Sequence, residues 1–567
     1  MREIQYQSMQ YRSDRNIVSY YSFAGGIFDT ENADRVADNE VSDMINLDIV
    51  NDGSLKMRDN FILSDMQPTT VQENKSYNDV TVFDKGTAYE IIGILDNKIV
   101  KIPSEEVLVD SFGSSMNTVQ YGNRLYIIGN GRFMVYDGDK IEDVATYHAA
   151  DIEKLTEEEK ERNDLDFVKD GKFITISQGR IIIAGITSEP NSVYMSEPWK
   201  PWFFDSKDLA DVMYPSQSDN DRVTALYDYA DGLMVFKRES IYIISGTLGG
   251  ANTQMYRMNV PTGTMSPKTI KRVDNFLLFL GTDRKVYGLY GGSYYSMNKD
   301  RVSIYSMSGT IERLLQRIPT TKRENVTATY YKGMYILAYP CEDEDGQVTT
   351  ETLNMYVLDK TTNSILSSQA WGRYDHVDIK GFIEIPGQEL NMYSNTSTRL
   401  YKFSEDATAD YDIYGNNQET HLEQYTVYIK FKNFNLEAPE HYKIFRAGWI
   451  QFNKAYRTDF KEFKHNIYID NRFTYLPYIE DMQTDQFDNA PEKWSSDGAD
   501  ILWDDFYWAG KENNAYYFRI NAKGRTVQNE LKFQTYGRKV RILGTSFEVK
   551  IKYPQRNNFN TGFKRGN

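Results

Sequence analysis

One short pattern recurs through the middle of the chain and restricts its fold more than any other feature. It consists of a glycine- or asparagine-bearing turn, three to five mostly apolar residues, a second turn, and a strand rich in Val, Ile and Tyr. Copies open at Gly86 (GTAYEIIGILDNKIVKIP), Tyr121 (YGNRLYIIGNGRFMVYDG), Ser177 (SQGRIIIAGITSEPNSVYMSEPW) and Tyr229 (YADGLMVFKRESIYIISG). Others open at Val273 (VDNFLLFLGTDRKVYGLYGG), Tyr330 (YYKGMYILAYP) and Leu390 (LNMYSNTSTRLYKF). Hairpins repeated on the scale of roughly 40–50 residues are the signature of β-propeller blades. The physical reason is that a four-stranded sheet cannot bury both of its faces alone, whereas radial stacking lets each blade cover its neighbour. The expectation is an irregular propeller of five to seven blades over 71–403, without a Trp-Asp or kelch signature.

The flanking segments read differently. Residues 1–70 form an N-terminal arm and platform segment, and blade spacing ends near residue 404. In the last strand Phe547, Val549, Ile551 and Tyr553 alternate with Glu548, Lys550 and Lys552, which gives one apolar face and one mostly basic face. Residues 404–567 are therefore expected to form a C-terminal β-domain, sandwich-like and basic at its end. The fold class is all-β. Helical periodicity is confined to DIEKLTEEEKERNDLDF, residues 151–167, where Thr156 stands as an N-cap before an acidic first turn. This segment falls between two blades and reads as an exposed, solvated insertion.

Composition supports this reading. Tyrosine occurs 43 times and aromatics make up 14% of the chain, which suits half-buried pleated surfaces and broad contact faces. No apolar run approaches the ~20 residues of a membrane helix, and the polar opening MREIQYQSMQYRSDRN lacks the apolar core of a signal peptide. Charge is polarised. From Ala515 onward twelve Lys and Arg face only Glu530 and Glu548, so the preceding 514 residues carry −26 against a net −16 for the whole chain. Such asymmetry fits a subunit that docks one end on an acidic partner.

Chemistry-bearing motifs are scarce. Gly25 and Gly26 in SFAGGIFDT resemble a phosphate cradle at first sight, yet the third glycine, a following Lys-Ser or Lys-Thr, and a packed crossover helix are all missing. A tight turn with close backbone approach is expected instead. The five histidines (His148, His376, His421, His441, His465) show no paired ligand spacing, and Cys341 is alone. The turns at Asn51-Asp52-Gly53 and Asp343–Gly346 lack the alternating oxygens of a calcium loop. There is no G-x-S-x-G elbow, Asp-box repeat or Cys-His pair. Neither a cofactor nor an enzymatic activity is expected. Whole-protein nucleic-acid binding through a basic groove conflicts with the negative bulk charge.

The run FAGGIFDTENADRVADNEVSDMINLDIVNDGSLKMRDNF resembles the N-terminal signature of a bacteriophage tail family. Its matching positions are Gly25, Gly26, Glu40, Asn46, Gly53 and Arg58. The family comprises the nozzle or tail-hub proteins of short-tailed phages, including tail tubular protein B and packaged-DNA stabilisation proteins. The resemblance continues through GRIIIAGITSEPNSVYMSEPWKPWFF, ALYDYADGLMVFKRESIYIISG and GTMSPKTIKRVDNFLLFLGTDRKVYGLYGG, covering roughly residues 20–300. Asp59-Asn60 stand where the family often has Pro-Gly after the Arg. The resemblance implies a virion structural protein made in the host cytoplasm. It implies a homo-hexameric ring below the portal and adaptor, contacting other tail proteins and tail fibres. Genomic DNA would pass through with weak, non-specific contact, since an acidic bore repels phosphate. Lys550 and Lys552 are the partner-docking candidates. Rival expectations are a receptor-binding tail component that recognises a host glycan and a propeller glycoside hydrolase.

Overall fold

The computed structural model describes residues 16–29, 35–205, 207, 211–216, 221–229, 232–273, 276–290, 303–342, 348–356, 370–413, 415, 420–436, 438–453, 460–475, 515–537 and 539–552. The acidic, Trp-rich stretch 481–514, the loop Asp343–Gly346 and Tyr553 lie outside the described residues. The chain divides into a unit spanning residues 59–423 and a second unit assembled from residues 1–58 and 424–567.

The first unit is a seven-bladed β-propeller. Blade 1 runs Asn78–Asp84, Tyr89–Leu95, Lys98–Ile102 and Val107–Val109; blade 2 runs Asn117–Tyr121, Arg124–Gly129, Arg132–Tyr136 and Ile141–Asp143. Blade 3 comprises Phe173–Ser177, Arg180–Ala184, Val193–Met195 and Val212–Met213. Blade 4 comprises Val223–Tyr229, Gly232–Lys237, Ile241–Ser245 and Gln254–Arg257. Blade 5 follows with Lys271–Val273, Phe276–Leu280, Val286–Tyr290 and Ser303–Ser306, and blade 6 with Thr327–Tyr331, Met334–Glu342, Val348–Tyr356 and Ala370–Val377. Blade 7 has three strands in sequence order, Gly381–Ile383, Asn391–Tyr393 and Leu400–Ser404. Its fourth is Asn60–Leu63, from inside the 1–70 segment, antiparallel to the third with Tyr401 opposite Leu63 and Ser404 opposite Asn60.

The repeat's turns explain why these hairpins form. Asn130-Gly131 and Lys332-Gly333 are two-residue loops with positive φ at both positions, the mirror-image turn whose twist matches paired strands. Second strands such as Arg180–Ala184 and Phe276–Leu280 are buried along their whole length. They are covered on both faces by neighbouring blades, so the run is continuous rather than alternating. Blades 4 and 5 share a core through Phe236, Ile243, Leu277 and Phe279. Blades 7 and 1 share another through Ile383, Leu400, Ile91 and Val100, which closes the ring. Blades 5 and 6 are joined by polar ties, Trp371 Nε1 donating to the Met307 carbonyl at 2.8 Å and Tyr335 Oη to that of Thr269 at 2.9 Å. The closing strand is fixed by the buried Asp410, whose carboxylate accepts from Phe61 N at 3.0 Å, and by Phe61 stacked on Tyr401.

Between blades 2 and 3 lies the helical insertion. It is a set of one- to two-turn helices, Val144–Tyr147, Ala149–Ile152, Glu157–Arg162 and Leu165–Val168. Thr156 caps the third in a complete capping box with Glu159, and that helix buries no residue.

The second unit is a β-sandwich. One sheet orders Leu47–Ile49, Leu55–Met57, Arg541–Lys552, Tyr442–Phe452 and Ala515–Gly524, with Asn16–Tyr20 also paired to Arg541–Lys552. The other places Gly26–Ile27, Glu40–Ile45, Val427–Phe431, Val527–Thr535, Phe460–Ile469 and Arg472–Tyr475 side by side. Aromatic side chains fill the space between the sheets: Phe452 on Phe460, Tyr516 on Phe463, Phe518 on His465, and Phe547 and Tyr20 on Phe434. Phe547 and Val549 are fully buried while Glu548 and Lys550 are partly exposed, as the alternation requires.

Candidate functional site

The six motif residues of the N-terminal segment all lie in the sandwich. Gly26 has φ +70° and begins a parallel pair with Glu40, while Gly25 N donates to the Asn39 carbonyl at 2.8 Å. Gly53 has φ +82°, and its carbonyl accepts from Phe23 N at 2.6 Å, which brings the Asp52-Gly53 turn against the Gly25-Gly26 turn. Glu40 accepts from Ala37 N at 2.8 Å; burial pushes its carboxyl above the usual range, against the pull of that bond and of Lys432.

Asn46 and Arg58 form the centre of the group. Both are 0% exposed. Asn46, at φ +60°, donates from Nδ2 to the Thr426 carbonyl at 2.8 Å and accepts from Arg58 Nε at 2.9 Å. The Arg58 guanidinium lies 4.0 Å from the Tyr425 ring centroid, and Tyr425 Oη donates to the Arg58 carbonyl at 2.7 Å. A buried guanidinium needs such partners to offset its desolvation. Asp52 ion-pairs with Arg541 and accepts from Ser54 at 2.7 Å, tying the same segment to the last strand. These groups are structural bolts between the two ends of the chain.

Lys550 sits on the partly exposed face of Arg541–Lys552, opposite Ile444; Lys552 closes the strand opposite Tyr442, and its side chain lies outside the described residues. On that face Lys523 and Arg525 stand 4.9 and 5.0 Å from the Tyr442 ring centroid. The histidines are dispersed. His465 is buried, 3.2 Å from Asn529 Oδ1, and burial lowers it to about 4. His148 packs beside Tyr126, and burial lowers it as well. Cys341 is buried in blade 6, its thiol pushed up to about 11 by burial. Among the described residues no group of three His, Cys, Asp or Glu side chains could hold a metal ion.

The repeat pattern gives no hint of a second site, a cavity of about 290 Å³ on the propeller axis. It lies where the innermost strands begin and is walled by residues from six of the seven blades. Asp79 is its focus. A register shift between Asn78 and Thr81 coincides with φ +41° at Asp79, and such bulges re-aim side chains. The Asp79 carboxylate accepts from Met116 N at 2.9 Å and ion-pairs with Lys268 of blade 5's approach turn. Lys271 pairs with Glu384 at 2.7 Å, and Thr81 and Thr118 hydroxyls meet at 2.8 Å. Just behind, Lys380 donates to Ser76 Oγ at 2.7 Å and to Asn78 Oδ1. Burial, then the charge of Lys268, hold Lys380 below the usual lysine range. Asp79 precedes the first quoted repeat and Lys268 falls in a short 3-10 turn, Pro267–Thr269. The only sequence signal is that turns entering a first strand face the axis.

No family model matches the chain, and no curated protein matches it. Solved structures do. The extracellular domain of the hybrid two-component system BT4673 from B. thetaiotaomicron is 9% identical at TM-score 0.32, covering 62% of this chain and 40% of that one. The chain thus spans less than half the length of that structure. The WD40 domain of Neurospora crassa Pan2 is 8% identical at TM-score 0.30, covering 60% of this chain and 97% of that one. The N-terminal domain of Nup159 is 8% identical at TM-score 0.29, covering 69% and 95%.

Proposed function

We propose that this chain is a structural subunit of a bacteriophage tail nozzle or hub ring, conducting and retaining genomic DNA below a portal-adaptor complex. One observation carries the reading. Two of the residues matching the tail-family signature, Asn46 and Arg58, form a bolt with Tyr425 that joins the N-terminal and C-terminal segments into one sandwich, with the propeller inserted between them in sequence. A signature spent on holding a platform together suits an architectural role better than a catalytic one. The charge asymmetry adds to it: a basic C-terminal segment suits docking, and an acidic remainder suits weak contact with passing DNA. Closed rotational symmetry repeats each exposed charge around the bore, so few residues suffice. For the hydrolase alternative, two positioned carboxylates are needed; among the described residues the axial cavity is lined by one, Asp79, while Glu384 is held beside it in the Lys271 ion pair.

The test is assembly. Purified chain is expected to form closed rings, six-fold under the tail-family reading, by sedimentation and electron microscopy. Lys550→Glu with Lys552→Glu should leave the blades folded and reduce rings or adaptor docking by about tenfold, the scale of removing one close charge pair. A wild-type chain that stays monomeric at high concentration, or that binds duplex DNA at sub-micromolar Kd in physiological salt, overturns the proposal.

A further inference from the structure

We propose that the axial cavity of the propeller is a binding site for a small hydroxylated carboxylate of monosaccharide size, a sugar acid. The inference is independent of the ring assembly.

Three features of the cavity select this chemistry. Its volume, about 290 Å³, admits a single pyranose-sized molecule with its first waters. Its lining holds two ammonium groups, Lys268 paired with Asp79 and Lys271 paired with Glu384 beside the cavity. Each ammonium has three N–H donors, so a ligand carboxylate finds charge-assisted donors beyond those ion pairs. Around them stand short polar side chains, Asn117 and Thr118 among them, beside the apolar faces of Phe382 and Tyr393. Hydroxyl groups need the first, and the C–H face of a sugar ring needs the second. Asp79, held by Met116 N on Oδ2 and by Lys268 on Oδ1, supplies its remaining lone pairs as acceptors for ligand hydroxyl hydrogens.

The backbone gives an independent reason to read the cavity as a site. A non-glycine residue at φ +41° inside a strand is strained, and the strain coincides with a register shift that turns Asp79 toward the axis. The innermost strand of blade 2, Asn117–Tyr121, pairs without any shift, and that of blade 4 shifts between Val223 and Ala225, neither of which lines the cavity. Blade 1 bears the distortion at the one position where its carboxylate meets Lys268 across the cavity.

The experiment is calorimetric titration of the full chain with D-galacturonate, with D-galactose and inorganic phosphate as comparison probes. Saturable galacturonate binding is expected, with galactose and phosphate each at least roughly tenfold weaker, the scale of one charge-assisted hydrogen bond. Lys268→Met should weaken galacturonate by about the same factor and Lys268→Arg should restore most of it. Lys268 is 47% exposed at its side chain, so its replacement spares the core. Asn117→Ala, at an exposed position, gives a second variant that keeps the fold. Absence of galacturonate binding overturns the proposal, as does equal affinity for galactose or phosphate. Affinity unchanged in both Lys268→Met and Asn117→Ala places any binding elsewhere and overturns it equally.

Discussion

Propeller and sandwich solve the same problem, covering the faces of twisted sheets, with opposite uses of the sequence. In the propeller nearly every strand pairs with its immediate neighbour in the chain, as in blade 2, where Asn117–Tyr121, Arg124–Gly129 and Arg132–Tyr136 follow one another through two-residue loops. In the sandwich the pairings reach across the whole chain: Asn16–Tyr20 lies on Arg541–Lys552, and Glu40–Ile45 on Val427–Phe431. The propeller spreads its core over repeated blade interfaces, whereas the sandwich relies on a few buried polar bolts and one aromatic layer. Local pairing therefore tolerates divergence, and distant pairing depends on particular residues.

The largest test of that contrast is in the propeller. Phe279 is fully buried, 5.3 Å from the Phe236 ring across the interface of blades 4 and 5. Phe279→Ala should cost about 4 kcal/mol, and hydrogen exchange should rise in the strands of blades 4 and 5. Equal loss of protection in Tyr442–Phe452 would break the picture of two separately held cores.

Next comes a pH effect specific to the sandwich. Burial lowers His465 from 6.5 to about 4, so between those values the unfolded chain binds a proton that the folded chain refuses. The contribution is complete above about pH 6.5 and is lost as pH falls toward 4, roughly 3 kcal/mol over the window. Denaturant melts of the wild type should decline more steeply over that window than those of His465→Gln. Parallel pH profiles would remove the assignment.

The smallest of the three effects is backbone strain. Gly26 at φ +70° is in the left-handed region, where a β-branched residue costs about 2 kcal/mol. Gly26→Val should lower the stability of the sandwich by that amount while blade-resolved exchange stays the same. A melting temperature equal to the wild type, or any measurable ATP affinity, would return the glycines to a phosphate-binding role.

How much could be read beforehand follows from the same contrast. All seven quoted repeat copies fall on real blades, because hairpin turns and apolar runs are local in sequence. Thr156 was legible as a cap for the same reason. The strand Asn60–Leu63 was not legible as part of blade 7, since nothing within a window of neighbouring residues reveals a partner at Leu400–Ser404. Asn46 and Arg58 stood out through the family resemblance, but their bond to one another and to residues 425–426 is purely tertiary. The axial cavity was invisible because its lining comes from six blades far apart in the sequence.

The seam in blade 7 also governs the order in which the chain can fold. The sandwich must join strands on either side of residues 59–423, and closing so long an unfolded loop is entropically expensive. Once Ser404 pairs with Asn60, the tether between the sandwich halves shrinks from several hundred residues to a few tens. At about 0.6 kcal/mol per doubling of loop length, four doublings are worth roughly 2–3 kcal/mol. Blade closure thus acts as an internal clasp that lowers the entropic cost of joining the sandwich halves, which favours formation of the platform after the propeller. A ribosome-bound chain that has not yet emitted Val527–Thr535 and Arg541–Lys552 already has the strands of all seven blades but lacks central strands of both sandwich sheets.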